Sequence, residues 1–508
     1  MDIKIIYTSD THGRLSAYDF LNKNYGDFGI SRLSSYLKNL NANYLLLDNG
    51  DYLQGSPLLD YTRKTNAFNP VAKIFNALKY DYINVGNHDF NYGLSHLKTF
   101  ESSCNSPILC ANILNSNKHF FKPYTIHELN GVKIAIIGLT TEYIPFWEKP
   151  EHISNLTFMD AVKTTKQIIK DNHLKQLSDL IVVLYHGGFD RDLKTGKLYD
   201  KATIENRGYD LFQIEDVDIL LTGHQHIPQV YSKNKKVVLQ TSSNAKDFGV
   251  IDISIKSDGK NLIVDKIEGK IESLETYPID QNIETLLKQE LNETNKFLSK
   301  TIGSSKYDMS IKSPLSCRIK KHLIFQMINQ IQLEYTQADI SIASLPNETH
   351  GFKKNITLND IAVNFPFEND LVVLEITGEI LKNALEKNAE YFSIQDNKIG
   401  INLKYLFPKV EHYNYDVYDG INYTIKVGNP LGKRIKSLTI NGIPIEENKT
   451  YKIALNSYRA IGSGGFDMFK NAKKIMSYPV SYFELIQNFI LKHPLLEIEI
   501  NNNYNVIM

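Results

Sequence analysis

Short unbroken apolar runs, each closing on a polar cluster, recur through the first half of this chain. Ile3 to Tyr7, Tyr44 to Leu47, Tyr82 to Val85, Leu180 to Leu184 and Ile219 to Leu221 each read as a short buried strand. Between them lie stretches with helical spacing, among them Ile30 to Leu40 and Ala161 to Asp171. That alternation, from Met1 to about Glu275, predicts an α/β domain whose parallel strands are buried on both faces. From Gln281 to Ser299, Ile283, Leu286, Leu287, Leu291 and Phe297 recur at near-helical spacing among Glu, Lys and Asn, which predicts a single connecting helix. Hinge motion is commonly carried by element-terminal residues, which puts a candidate hinge at Phe297 to Gly303. The second domain has helical patterns at Leu323 to Tyr335 and Ile380 to Tyr391, a strand at Asp339 to Ala343, and a β-rich stretch from Tyr423 to Leu455. Asn441-Gly442 marks a hairpin turn in that stretch, and the last helix, Val480 to Leu491, reads as packing. The chain thus divides into residues 1–278, a linker helix and hinge at 279–302, and a smaller domain at 303–508.

A length of 508 residues is too great for one core and agrees with that division. Hydrophobic content of 42% with 22% charged residues is ordinary for a globular protein. Lys+Arg and Asp+Glu both number 57, so no overall field favours a nucleic-acid polymer or an acidic membrane surface. Cys104, Cys110 and Cys317 are too few for a disulfide framework; reduced thiols are expected, with a Cys104–Cys110 bridge left open. No apolar run approaches the roughly 20 residues of a membrane span. The strand at Ile3 begins with no basic segment and apolar stretch before it, so the expectation is a cytoplasmic chain, or a periplasmic or secreted one if a leader has been trimmed.

The chemistry lies in the polar clusters that close the apolar runs. These are Ser9-Asp10-Thr11-His12, Asn49-Gly50-Asp51, Gly86-Asn87-His88-Asp89, His186-Gly187-Gly188 and Gly223-His224-Gln225-His226. Any one alone reads as a cap, a turn or a satisfied core polar group. Together they all stand at the C-terminal ends of predicted strands, where open α/β sheets place their sites. Carboxylate, imidazole and amide oxygen suit divalent ions, and a pair of ions about 3.5–4 Å apart needs a bridging carboxylate, for which Asp51 is the natural choice. The same donors accept Mn²⁺, Zn²⁺, Co²⁺ or Fe²⁺.

The runs Tyr7 to Gly13, Asp48 to Pro57, Gly86 to Phe90 and Gly223 to His226 resemble the calcineurin-like metallophosphoesterase domain of the 5'-nucleotidase family. Asn456-Ser457-Tyr458-Arg459-Ala460-Ile461-Gly462-Ser463-Gly464-Gly465-Phe466 resembles that family's substrate domain. The resemblance implies a four-layer αββα sandwich, then a linker helix and a smaller α/β substrate-binding domain that closes on the first. It implies one ion held by Asp10, His12, Asp51 and His226, and the other by Asp51, Asn87, His186 and His224. His88 would then donate to the phosphoryl oxygen or leaving group in the transition state, and Asp89 would either orient His88 or cap the following turn. Phe68 to Val71, Phe90 to Leu94, Trp147 near Ile144, Tyr413 to Gly420 and Ser457 to Ala460 resemble the 2',3'-cyclic-nucleotide 2'-phosphodiesterase/3'-nucleotidase branch. Two departures point the same way: Asn91 stands where 5'-nucleotidases have an aspartate partner for the histidine, and Ser344 to Asn347 lacks their phosphate-binding arginine.

In the second domain Gly462, Gly464 and Gly465 permit a tight loop that approaches a flat ligand. Phe466 is expected to leave that loop with an exposed face, and Tyr413, in preference to Tyr415, to supply the opposing face, so that a nucleobase stacks for about 1–3 kcal/mol per ring. The plainer alternative is a loop before a core aromatic. Arg459 either touches substrate or braces a carboxylate. The expected activity is two-metal hydrolysis of small nucleotides, opening 2',3'-cyclic nucleotides and removing a 3'-phosphate. The alternatives are 5'-nucleotide or nucleotide-sugar hydrolysis, and a silent nucleotide-binding protein.

Overall fold

In the computed structural model, which describes residues 2–65, 68–199, 204–257, 262–366, 369–407 and 409–508, the first apolar run becomes a strand, Asp2–Thr8. It pairs in parallel with Asn43–Asp48, Ile3 opposite Asn43 and Thr8 opposite Asp48, and that strand pairs in parallel with Tyr82–Ile83. The third strand is shorter than predicted: it ends at Ile83, and the next residue, Asn84, donates its side-chain amide to the Leu139 carbonyl of the second sheet. On the other side Asp2–Thr8 meets Asp247–Ser257 antiparallel, and Leu262–Ser273 completes a five-stranded sheet.

The second sheet has six strands in the order Gln229–Lys233, Lys236–Gln240, Ile219–Thr222, Leu180–His186, Val132–Thr140 and Tyr124–Leu129. Its four middle strands are parallel, as predicted, whereas its edges are antiparallel. The expectation of a wholly parallel domain is corrected by two-residue turns at Asn130-Gly131 and Asn234-Lys235. All four residues have positive φ, between 52° and 80°, the geometry that matches hairpin twist.

The two sheets face each other. Ile3, Ile5, Tyr7, Leu45 and Leu47 of the first meet Ile134, Ile136, Val182, Leu184, Ile219 and Leu221 of the second in one core. The alternate residues Ala135, Ile137, Ile181, Val183 and Leu220 face outward onto Val162, Ile168 and Ile169 of the helix Ala161–Asp171 and onto Leu211 and Phe212 of Gly208–Phe212. Ile6 and Leu46, on the outer face of the first sheet, are also fully buried. Helices Ile30–Lys38, Pro57–Lys64 and Pro70–Leu78 connect the strands of that sheet. The last of these starts sharply, with Pro70 in its first turn and Asn69 accepting from the Val71 and Ala72 amides. The layers are those of the expected αββα sandwich.

The chain divides into two compact units, Met1–Thr294 and Asn295–Met508. The single connecting helix is corrected to two, Gln281–Leu286 and Lys288–Leu298. At Leu287 the backbone N–H bonds three residues back to Glu284, tightening the turn. Glu284 is itself pinned, accepting from Ser16 Oγ and the Ala17 amide at 2.5 and 3.0 Å. The second unit centres on a five-stranded sheet in the order Asp416–Asp419, Ile340–Ser344, Thr450–Asn456, Asp370–Thr377 and Lys473–Ser481. Helices Leu323–Thr336 and Gly378–Ala389 share its core. Asn441 and Gly442, at φ 49° and 77°, make the expected hairpin turn. All three cysteines are free, and no helix among the described residues is long and apolar enough to cross a membrane.

Two buried amides join the sheets where the strands end. Asn84 Nδ2 donates to Asn49 Oδ1 at 2.9 Å and to the Leu139 carbonyl at 2.6 Å, and Asn49 Nδ2 donates to the Tyr185 carbonyl at 3.1 Å. Removing a donor from buried acceptors costs about 1–3 kcal/mol. Asn84→Ala is therefore expected to lower the melting midpoint by that amount of stability, and Asn84→Asp, which cannot donate, to be no better.

Candidate dinuclear metal centre

The strand ends deliver two groups of donors. Ligand atoms of Asp10, His12 and His226 lie within 4.8 Å of one another, and so do those of Asp51, His186 and His224. In the first group His12 Nε2 is 3.2 Å from His226 Nε2, which is 3.2 Å from Asp10 Oδ1. In the second, His186 Nε2 is 3.1 Å from Asp51 Oδ2, and Asn87 Oδ1 is 2.8 Å from His224 Nδ1. Asp10 Oδ1 is 3.9 Å from His186 Nε2, so the two groups adjoin. Bonds of about 2.0–2.2 Å at near-tetrahedral angles place neighbouring ligand atoms at about this separation.

Donor chemistry agrees with that spacing. Asp51 Oδ2 and His186 Nε2 are buried with no hydrogen-bond partner among the described residues, a costly arrangement unless a cation lies between them. The opposite ring nitrogens of three of the four histidines are tied. His12 Nδ1 faces the Gln54 carbonyl at 3.1 Å, His186 Nδ1 the Asn49 carbonyl at 2.7 Å, and His224 Nε2 the Glu205 carboxylate at 3.1 Å. Each acceptor puts the proton on its own side of the ring and leaves the lone pair on the atom that faces the centre. The residues present therefore fit two divalent ions. Sequence reasoning missed Glu205, which lies in a polar stretch 19 residues before His224 with no motif to mark it.

Backbone strain is concentrated at the same place. Asp10, His12, Asp51, His224 and His226 adopt φ of 53°, 47°, 59°, 70° and 61°. Left-handed conformations in non-glycine residues cost about 1–3 kcal/mol each and persist only where the surroundings over-determine them. Here the Asp10 amide bonds the Gly50 carbonyl and the His12 amide bonds the Asp51 carbonyl, both at 2.9 Å. Asp89 supplies most of the rest: its carboxylate accepts from the amides of Asp51, Tyr52, Leu53 and Gly86 at 2.8–3.0 Å. Of the two expectations, that it orients His88 or that it caps the following turn, these bonds display neither; they make Asp89 the clasp of two ligand loops. Glycine is required at Gly86, where a Cβ would fall 2.2 Å from Asp51 Oδ1.

Burial opposes the charges on Asp10 and Asp51, yet both are held below the usual carboxylate range, Asp10 by His186 and His226 and Asp51 by His186 and His88. Burial likewise lowers His186, but Asp51 and then Asp10 raise it to about 10. A position negative enough to hold a proton that firmly is one that holds a cation. Burial and His226 push His12 down to about 3, which keeps its ring neutral and able to ligate. Asp89 is pushed up to about 6 by burial and Asp51, against the pull of its amide donors.

His88 stands beside the donors without joining either group. Its amide donates to Asp51 Oδ1 at 2.7 Å, its ring meets His12 edge-on at 5.4 Å, and its Nδ1 lies 2.7 Å from Asn91 Oδ1. Trp147 stacks on His224, ring centroids 5.3 Å apart.

In the second unit the expected exposed face of Phe466 is absent. The ring is fully buried, with the Arg459 guanidinium 3.9 Å over its centroid. Arg459 pairs with Asp416 at 2.8 Å and donates to the Ser463 and Tyr413 carbonyls, so it braces a carboxylate and a loop rather than offering its charge to solvent. Gly464, at φ 71°, lets that loop close: a Cβ there would lie 2.0 Å from Asn414 Oδ1. Tyr415 is also core, packed on Tyr391 and Phe392, while Tyr413 is half-buried with its ring edge-on to Tyr458.

Comparison with known proteins agrees with both units. Residues 3–228 match the model of the calcineurin-like phosphoesterases, and residues 301–471 that of the 5'-nucleotidase C-terminal domain. A solved structure from Staphylococcus aureus, titled a candidate 5'-nucleotidase in complex with alpha-ketoglutarate, superposes with a TM-score of 0.92 at 32% identity over 100% of both chains. The 2',3'-cyclic-nucleotide 2'-phosphodiesterase/3'-nucleotidase of Salmonella typhimurium is 28% identical over 91% of this chain and 82% of its own. A trifunctional nucleotide phosphoesterase protein of Bacillus subtilis is 27% identical over 99% of this chain, which spans only 39% of that protein's length.

Asp51→Asn removes the carboxylate of the second group, the one expected to bridge the two ions, and is expected to abolish turnover and reduce bound metal, measured by elemental analysis. His88→Ala is expected to keep the metal content and lose kcat, the mark of a group that acts in the transition state. Phe466→Ala is expected to remove about 3–5 kcal/mol of stability, as for a core aromatic, seen as an earlier thermal transition.

Proposed function

The chain belongs to the calcineurin-like phosphoesterases that carry a 5'-nucleotidase C-terminal domain, and on that premise we propose that it hydrolyses 2',3'-cyclic nucleotides and 3'-nucleotides to nucleoside and phosphate. The observation that carries the chemistry is the pair of adjoining donor groups with His88 poised beside them. The substrate class rests on the likeness to the Salmonella typhimurium enzyme and on Asn91 as the partner of His88.

Two divalent ions, when bound, activate water and neutralise the phosphoryl oxygens. Asp10, His12 and His226 would hold one, Asn87, His186 and His224 the other, with Asp51 shared. As the imidazolium, His88 donates its Nε2 proton to the oxygen on which charge develops, first the 2'-oxygen as the cyclic ester opens and then the 3'-oxygen as phosphate leaves, and keeps its Nδ1 proton on Asn91 each time. Asp89 keeps the Asp51 and Gly86 loops at fixed separation throughout. Base recognition falls to a substrate domain that we place at residues 303–508, after a linker at 279–302 and within the second unit, with Tyr413 as the contact. The donor set suits Mn²⁺, Zn²⁺, Co²⁺ or Fe²⁺.

The Staphylococcus aureus structure favours a second reading, in which the substrate is a 5'-nucleotide. A panel of 2',3'-cyclic, 3'- and 5'-nucleotides and nucleotide sugars, assayed with Mn²⁺, separates the two. The cyclic and 3'-substrates are expected to have the highest kcat/KM, and a 5'-nucleotide at the head of the ranking would overturn the assignment.

A further inference from the structure

The partner of His88 has a partner of its own. Asn91 Oδ1 lies 2.7 Å from His88 Nδ1, and Asn91 Nδ2 donates to Glu148 Oε2, also at 2.7 Å, across 57 residues of sequence. Glu148 follows the short helix Ile144–Trp147 and its side chain is only 6% exposed. Its other oxygen, Oε1, accepts from the Lys149 amide and faces His152 Nδ1, both at 2.8 Å. The Glu148 amide bonds the Ile144 carbonyl and the His152 amide bonds the Lys149 carbonyl, each at 2.9 Å, so the carboxylate is held from both sides of its own turn.

Donor and acceptor counting then fixes the whole chain of contacts. A carboxylate only accepts, so Asn91 must turn its nitrogen toward Glu148 and its oxygen toward His88. An amide oxygen only accepts, so His88 must carry a proton on Nδ1. The nitrogen left for the reacting oxygens is Nε2. Without Glu148 nothing in this chain of contacts dictates which end of the Asn91 amide faces the imidazole, and its NH₂ group would select the opposite tautomer.

We propose that Glu148 is a positioning residue that, through Asn91, locks the ring orientation and tautomer of His88. Where a direct histidine–aspartate pair sets charge against the ring, this arrangement keeps the carboxylate one residue back and sets a neutral amide at Nδ1. The consequence for turnover rests on the proposed phosphohydrolase activity; the tautomer does not.

The test uses the full-length chain loaded with Zn²⁺, which is diamagnetic, and labelled with ¹⁵N-histidine, the His88 signal being assigned by its loss in His88→Ala. In its neutral ring, the form left after Nε2 has given up its proton, the wild type is expected to carry the remaining proton on Nδ1. Glu148→Ala and, from the other end of the bridge, Asn91→Ala are expected to shift His88 away from that tautomer. In the same proteins kcat should fall about 10–100-fold, the usual effect of removing an outer-shell partner, with KM and bound metal near their original values. Glu148→Gln keeps an acceptor for Asn91 and should retain most of kcat. Asn91→Asp sets two carboxylates face to face and should lose activity, and adding Glu148→Gln should restore it. An unchanged His88 tautomer in both alanine variants, or a Glu148→Gln variant as impaired as Glu148→Ala with metal intact, would overturn the proposal. If the wild type turns over no nucleotide, the functional reading fails while the tautomer comparison still decides this one.

Discussion

Four carboxylates, Asp10, Asp48, Asp51 and Asp89, are buried under one cluster of loops, and the arrangement of the first unit depends on how each is satisfied. Asp48 accepts from Thr8 Oγ1 and the Gly50 amide, and burial pushes its carboxyl well above the usual range, toward the neutral form. Asp89 is surrounded by four amides. Asp10 accepts from Ser9 Oγ and the His224 amide. Asp51 receives the His88 amide on Oδ1 alone, and its Oδ2 faces His186. Negative charge left over in a low-dielectric interior is costly unless a cation answers it. The strained backbone at five donor residues is the geometric counterpart: loops that wrap so many carboxylates around one point leave little room for ordinary dihedrals.

The donors' surroundings are graded from the interior to the rim. His12 and His186, deep in the site, turn their outer nitrogens to backbone carbonyls, which fixed loops supply. His224 turns its outer nitrogen to a side chain, the partly exposed Glu205. A carboxylate at that position makes the imidazole a stronger donor than a carbonyl would. The two halves of the centre are therefore chemically unequal even where their first ligands look alike.

Much of this was legible in the sequence because strand periodicity is local. Ile3 to Tyr7 and Leu180 to Leu184 announce buried strands, and polar residues that follow such strands gather at one edge of a sheet whatever their separation along the chain. What stayed hidden depends on distance in space alone. Glu205 and Glu148 stand in stretches with no period or motif, Asn84 sits unmarked inside an apolar run, and each acts through a partner 19 to 57 residues away. The glycine loop before Phe466 suits an exposed ring or a buried one, and the choice was made by Arg459 closing over it. Asp89 was ambiguous because a carboxylate beside a histidine has the same sequence signature whether it bonds the ring or the amides of the next loop. The break at Leu287 was masked by apolar spacing that runs through it unchanged.

The chain contains one tryptophan, and it is Trp147, lying almost parallel to the ring of His224. The indole emission of the whole molecule therefore comes from a ring in contact with a single candidate ligand. Any event that changes the charge or electron density of that imidazole is written directly into the fluorescence, with no label attached. The protein carries its own optical gauge for the side of its centre where His224 stands.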